Sequence, residues 1–393
     1  MRLGFRRFGV AGMGVFLLML SAACGGISSS APDYGPYPVG PGDDDFDRQP
    51  NIVRGVFAES LRLGDHIIFA TDIDPDLTAV RDNGVTTTDR GLGDTTISTE
   101  QRVTAVRYGV VGGFSAAAAN RPDTGDGQPR KYLSVSLTAF HDEQAAAAAA
   151  AAMERVDLEA NTDNLPVALA AFPAAMSHWR PGVPSLGSVM AWKTLVIHVY
   201  AELPDPDLGR LADTVTTVYR KQLTELDSFD ASAVPDTATV PLDPDRLLAR
   251  LVRTGEPLAD QENFAAFGVR AYSSLSATPA TEFMLYTGHG VTALAVSYNK
   301  FLYRLRDAAA ATEYGRYLAD SRDESEYTSM SAIRGVPAAA CSQATRPDLK
   351  SLQARRYRCV VVRDSYVAVV YSAVDTDVRQ LAAAQYSAMA NPR

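Results

Sequence analysis

The stretches HVYAELPDPDLGRL, residues 198–211, and VVYSAVDTDVRQL, residues 369–381, decide how this chain is read. Aligned with one gap, they place Tyr200 with Tyr371, Asp207 with Asp377 and Leu211 with Leu381. Each runs from an apolar strand through an acidic turn into a segment with apolar residues at helical spacing. In the first copy Asp205 is the expected N-cap, and Leu208, Leu211, Val215 and Val218 form the stripe that a helix would bury.

Working outward, the two halves keep the same order of elements. In KYLSVSLTAF, residues 131–140, Leu133, Val135, Leu137 and Ala139 alternate with Ser134, Ser136 and Thr138, which predicts a half-buried strand. Eight alanines from Ala145 follow, in a segment of very high helix propensity. SVMAW and LVIHVYAEL then form a hairpin turning near Lys193. In the second half VTALAVSYN reads as a strand and RDAAAATEYGRYLAD as a helix. YRCVVV and YVAVVYSAV pair around Arg363 and Asp364, and DTDVRQLAAAQYSAM closes the chain as a helix. The inferred architecture is α+β: two lobes, each a mostly antiparallel sheet with helices packed on one face, built from a β-α-β-β-α unit used twice.

The first residues speak of export. Arg2, Arg6 and Arg7 precede an apolar run from Phe8 to Ala23 that glycines interrupt at 9, 12 and 14. A membrane-spanning helix takes about 20 consecutive apolar residues, so the run fits a signal peptide better. Ser21, Ala22 and Ala23 lead into Cys24, as in a bacterial lipobox, although that motif usually has Leu where Ser21 stands. Cys24 is therefore the expected lipidation site; the alternative is an ordinary cleaved signal with Cys24 as a bystander. Of the three cysteines this leaves Cys341 and Cys359 as an even pair, a disulfide in an oxidising compartment or two buried thiols.

The expected divisions are a signal peptide (1–23), a disordered tether rich in Gly, Ser, Pro and Asp (24–50), an N-terminal domain (51–230), a linker (231–254) and a C-terminal domain (255–393). Asp43, Asp44 and Asp45 read as a solvated run within the tether. The formal charge is −9, and −12 once the three signal arginines are gone, which argues against nucleic acid as a partner.

Motifs that carry chemistry are few. His66, His141, His178, His198 and His289 are scattered, so no zinc site and no cofactor are expected, and His198 within LVIHVY reads as structural. Asp72, Asp74 and Asp76 open like a calcium loop, but Leu77 and Asn83 stand where that loop needs glycine and glutamate, and a turn explains them better. Ser297 and Lys300 match S-x-x-K formally, yet Ser297 falls late in a strand and no partner motif accompanies it.

Five stretches carry a resemblance. They are YGPYPVGP (34–41), ESLRLGDHII (59–68, with Glu59 and Arg62), DIDPDL (72–77), VPLDPDRLLAR (240–250) and QLAAAQY (380–386). In this order they resemble the actinobacterial surface lipoproteins of unknown function that carry the DUF7373 domain. The resemblance implies a two-part surface lipoprotein and brings no site residues with it. The second half, with Cys341 and Cys359, also resembles extracellular sensor domains of mycobacterial kinases in architecture alone.

The expectation is a non-enzymatic protein, lipid-anchored on the outer face of the cell membrane, that binds an envelope ligand or protein partner. The alternatives are a hydrolase or transferase acting on envelope glycan or lipid through a dispersed site, and a structural assembly factor.

Overall fold

The computed structural model describes residues 31–43, 45–86, 97–122, 125, 130–230, 236–320, 327–337, 339–346, 350 and 353–390. Cys24, Asp44 and the expected signal peptide lie outside them.

Two separate seven-stranded sheets are present among these residues, and every strand pairing is antiparallel. The first contains β1 (Ala79–Thr86), β2 (Val110–Ala119), β3 (Tyr132–Phe140), β4 (Leu165–Val167), β5 (Met176–Trp179), β6 (Ser185–Trp192) and β7 (Leu195–Glu202), in the spatial order β1-β2-β3-β7-β6-β5-β4. The second contains β8 (Phe264–Phe267), β9 (Val291–Ser297), β10 (Lys300–Leu305), β11 (Tyr327–Ser329), β12 (Ala339–Ala344), β13 (Tyr357–Arg363) and β14 (Tyr366–Ser372), in the order β8-β9-β10-β14-β13-β12-β11. Each strand of the second sheet thus takes the place of the strand seven earlier. The helices follow suit, with α4 (Glu143–Leu158) and α5 (Leu208–Leu226) matched by α8 (Ala308–Asp320) and α9 (Asp375–Ala388). The repeat read from residues 198–211 and 369–381 extends to the whole sheet.

The local details amend the sequence reading in four places. VTALAVSYN is not the counterpart of β3. A two-residue turn at Tyr298 and Asn299 ends β9, Tyr298 adopts a φ of 57°, and β10 occupies the equivalent position. The cap of α5 is Asp207, which accepts from the N–H of Arg210 at 3.1 Å, rather than Asp205. Pro206 disfavours helical backbone in the residue before it, so the helix begins later. The hairpins turn where expected, with Lys193 and Asp364 at φ of 51° and 50°.

Third, helices cover both faces of each sheet. In the first, Val189 and Val196 pack with Ala146, Ala149, Ala150 and Met153 of α4. Leu195, Ile197 and Val199 point the other way, toward Leu211, Val215 and Val218 of α5. In the second, Gly315 of α8 lies against Val362, whereas α9 meets the alternate residues Arg363 and Ser372. Near-continuous apolar runs such as LVIHVYA and YVAVVYS record that double burial. Fourth, β3 is buried at all nine positions rather than half-buried. Its hydroxyl face lies on the alanine-rich α4 side, where the Ser136 and Ser115 hydroxyls pair at 2.7 Å. His198 shares that face, and complete burial lowers its pKa to about 4, so the ring is neutral.

Two expected free segments are docked. Residues 31–43 and 45–50 lie on the C-terminal domain: the Tyr37 hydroxyl donates to Asp377 at 2.6 Å, Gln380 donates to Asp33 at 2.8 Å, and Phe46 meets Phe264 edge-on at 5.3 Å. Asp45, expected in a solvated run, pairs with Arg253 at 2.8 Å. Counting glycine, proline and aspartate undervalued three aromatic side chains, Tyr34, Tyr37 and Phe46, that pack on the core. Of the expected linker, residues 236–254 carry Leu242, Leu247, Leu248, Leu251 and Val252, all buried in that same core.

Cys341 and Cys359 face each other across β12 and β13 and are bonded, with an S–S distance of 2.06 Å. Closing a loop of this length stabilises by about 3 kcal/mol in the chain-entropy model. Replacing both cysteines with serine is expected to lower the melting temperature. An unchanged melt, on wild-type protein shown to be oxidised, would contradict a stabilising bridge.

Candidate functional site

The two sheets meet through α2 (Ile52–Gly64), and the candidate site lies beside it. Asn51 caps the helix by accepting from the N–H of Arg54 at 3.0 Å. Phe57 and Leu61 enter the C-terminal core, while Leu63, with Ile67 and Ile68 just beyond the helix, enters the N-terminal core. Three polar residues of α2, Arg54, Glu59 and Ser60, are buried as well. The Ser60 hydroxyl donates to Val56 O and accepts from Gly113 N, and Glu59 takes two hydrogen bonds from Arg62 at 2.8 Å.

Chain segments from both sides are then fastened to α2 through their backbones. Arg54 donates to the carbonyls of Phe46, Gln49 and Ala238. Asp47 accepts the N–H groups of Leu242 and Asp243, and Asp243 those of Leu247 and Ala249. Buried Gln385 of α9 accepts from Val252 N and donates to Arg250 O. Gly55 is required here, since a Cβ would lie 1.7 Å from Thr237 O.

Between α2, residues 240–247, β8 and β9 this arrangement leaves a cavity of about 310 Å³. Ala58, Leu61, Val240, Leu242, Phe267 and Ala293 supply its apolar lining. Polar groups gather at its edges. Arg62 is held by Glu59, by the Phe229 ring 4.1 Å away and by Asp230 O at 3.0 Å. Asp245 pairs with Arg304 at 2.7 Å, both partly exposed. Asp65, half-buried in the wall, accepts the N–H of Ala271 at 3.0 Å and so caps α6 (Val269–Ser274). Gly268 permits that approach, because a Cβ there would lie 2.0 Å from Asp65 Oδ2. Burial pushes the Asp65 carboxyl up to about 6, outweighing the backbone donors of Ala271 and Gly268. Such a cavity, apolar inside with few convergent polar groups, suits a small apolar ligand.

The residues singled out from sequence fall elsewhere. Cys341 and Cys359 are distant structural partners in the second sheet. Ser297 ends β9, and the fully buried Lys300 directs its ammonium to Thr254 and Asn299. Asp74 and Asp76 hold Lys131 at 2.9 and 2.6 Å, while Asp72 accepts from Phe69 N. Asn83, where a calcium loop would need a glutamate, bridges the domains by donating to Ser274 O and accepting from Ala117 N. Among the described residues no cluster of three or more metal-ligating side chains forms, and no helix is long and apolar enough to cross a membrane. Sequence reading missed Asp65 and the cavity. The signal was there in ESLRLGDHII and VPLDPDRLLAR, which mix charge with apolar residues at positions that the fold buries.

Asp65 makes a pH-dependent contribution of known sign. Its folded pKa, about 6, exceeds the ordinary 3.8, so its contribution to stability is complete below 3.8 and is lost as pH rises through 6. Asp65→Asn keeps an acceptor and removes the titration. Relative to wild type the variant should gain up to about 3 kcal/mol between pH 4 and 7, read by denaturant titration at both pH values. A difference that does not change with pH would refute the raised pKa.

The family models divide the chain between the two sheets. No curated protein matches the chain. Among solved structures, the extracellular domain of PknH from Mycobacterium tuberculosis is similar at 12% identity and a TM-score of 0.28, covering 44% of this chain and 98% of that one. The N-terminal and C-terminal domains of unknown function DUF7373 match residues 46–242 and 247–392, meeting within the segment that lines the cavity, and the chain belongs to the DUF7373 family.

Proposed function

We propose that this protein is a non-enzymatic binding module of the cell envelope, held at the outer face of the membrane by lipid on Cys24, and that its junction cavity takes a small apolar molecule. The cavity between α2 and residues 240–247 is the observation that carries the reading. Its volume falls at the lower end of the range for small-molecule sites. The nearby carboxylates support binding over catalysis, since Asp47, Asp65 and Asp243 are all engaged by backbone N–H groups. The basic start, the short apolar run and Cys24 support the anchor.

Native mass spectrometry of the chain exported from an actinobacterial host tests the ligand. The expected result is an added mass, lost on denaturation and absent from Ala58→Phe, whose ring would fill the cavity. A bare mass for the wild type, or an added mass that Ala58→Phe retains, would contradict the assignment. The anchor is tested separately: Cys24→Ala should leave the membrane fraction or keep its signal peptide, and normal processing and retention would remove that part of the reading.

A further inference from the structure

The N-terminal sheet carries a second opening of about 300 Å³ that shares no lining residue with the junction cavity. It lies beyond the C-terminal turn of α4. Its floor is one cross-strand row, with His178 on β5, Gly187 on β6 and Tyr200 on β7 directly opposite one another. A Cβ on Gly187 would stand 3.0 Å from the His178 ring, so the glycine lets the imidazole lie down against the sheet. The ring is then fixed by Glu154, 3.0 Å from Nδ1, and by Asp157, 3.5 Å from Nε2.

The walls are equally prearranged. The Trp179 indole N–H donates to Val183 O at 2.7 Å, which sets the ring plane at the pocket's side. Asn164 donates to the carbonyls of Asp157 and Leu158, closing the end of α4. Two groups at the rim have side-chain donors with no protein partner among the described residues: the Asn161 amide, whose oxygen already accepts from Asp163 N, and the exposed Arg180 guanidinium.

We propose that this pocket binds a neutral saccharide unit. Sugar rings present an apolar C–H face and a rim of hydroxyls that both donate and accept. Trp179 and Tyr200 offer aromatic surface for the first, and the amide, guanidinium and carboxylate groups offer partners for the second. Both carboxylates converge on an imidazole and a guanidinium stands at the rim, so the site calls for no net charge on its ligand. The same engagement argues against a hydrolytic pair, which would need its two carboxylates to face the sugar from opposite sides. This assignment is independent of the junction cavity and its ligand.

Isothermal titration of the exported full chain with maltotriose, cellotriose and chitotriose tests it. At least one should bind with a dissociation constant between micromolar and millimolar. Arg180→Ala at an exposed position, combined with Asn161→Ala at a half-buried one, should weaken it at least tenfold, whereas Leu258→Ala, on the exposed surface of the other domain, should leave it unchanged. No binding of any of the three at tens of millimolar would overturn the proposal, as would binding that the double variant leaves intact.

Discussion

A single helix is shared between two cores, and most of the structure depends on it. Phe57 and Leu61 of α2 belong to the C-terminal core, and Leu63 with the Ile67–Ile68 pair belongs to the N-terminal core. Burying each such side chain contributes roughly 1.5–3 kcal/mol, so neither lobe can give up α2 without exposing a substantial part of its own interior. The helix also leaves no room for slippage. Gly55 touches the backbone at Thr237, and a Cβ at Gly64 would stand 2.6 Å from the Phe114 ring.

That constraint explains why residues 31–50 and 236–254 are not the free segments their composition suggests. Each supplies backbone carbonyls or N–H groups to a buried polar side chain: Arg54, Asp47, Asp243 or Gln385. An unpaired backbone group in such a place costs as much as a lost hydrogen bond, and the side chains remove that cost. The junction cavity is a consequence. Pro241 and Pro244 line the space between the returning chain and α2, together with the apolar groups of both.

The fold was largely legible where periodicity was strong. The paired stretches at 198–211 and 369–381 disclosed the repeat, and the Ala145 run disclosed α4. What periodicity could not show was which face of each strand another layer would cover. Ser134, Ser136 and Thr138 read as solvent-facing, yet alanine side chains are small enough to let α4 settle onto them. The site was hardly legible at all. Asp65 and Asp243 look like surface charges in a polar turn; the return of residues 240–250 buries Asp243 as a cap, and Asp65 becomes one only where the start of α6 meets it. Of the five stretches that carried the family resemblance, four, all but DIDPDL, contribute to this junction or to α9 beside it.

The claim that α2 welds the two lobes into one cooperative unit is tested most directly by differential scanning calorimetry of the exported chain. The account predicts a single transition whose calorimetric and van't Hoff enthalpies agree. Two resolved transitions, one for each sheet, would show that the lobes unfold independently and would contradict it.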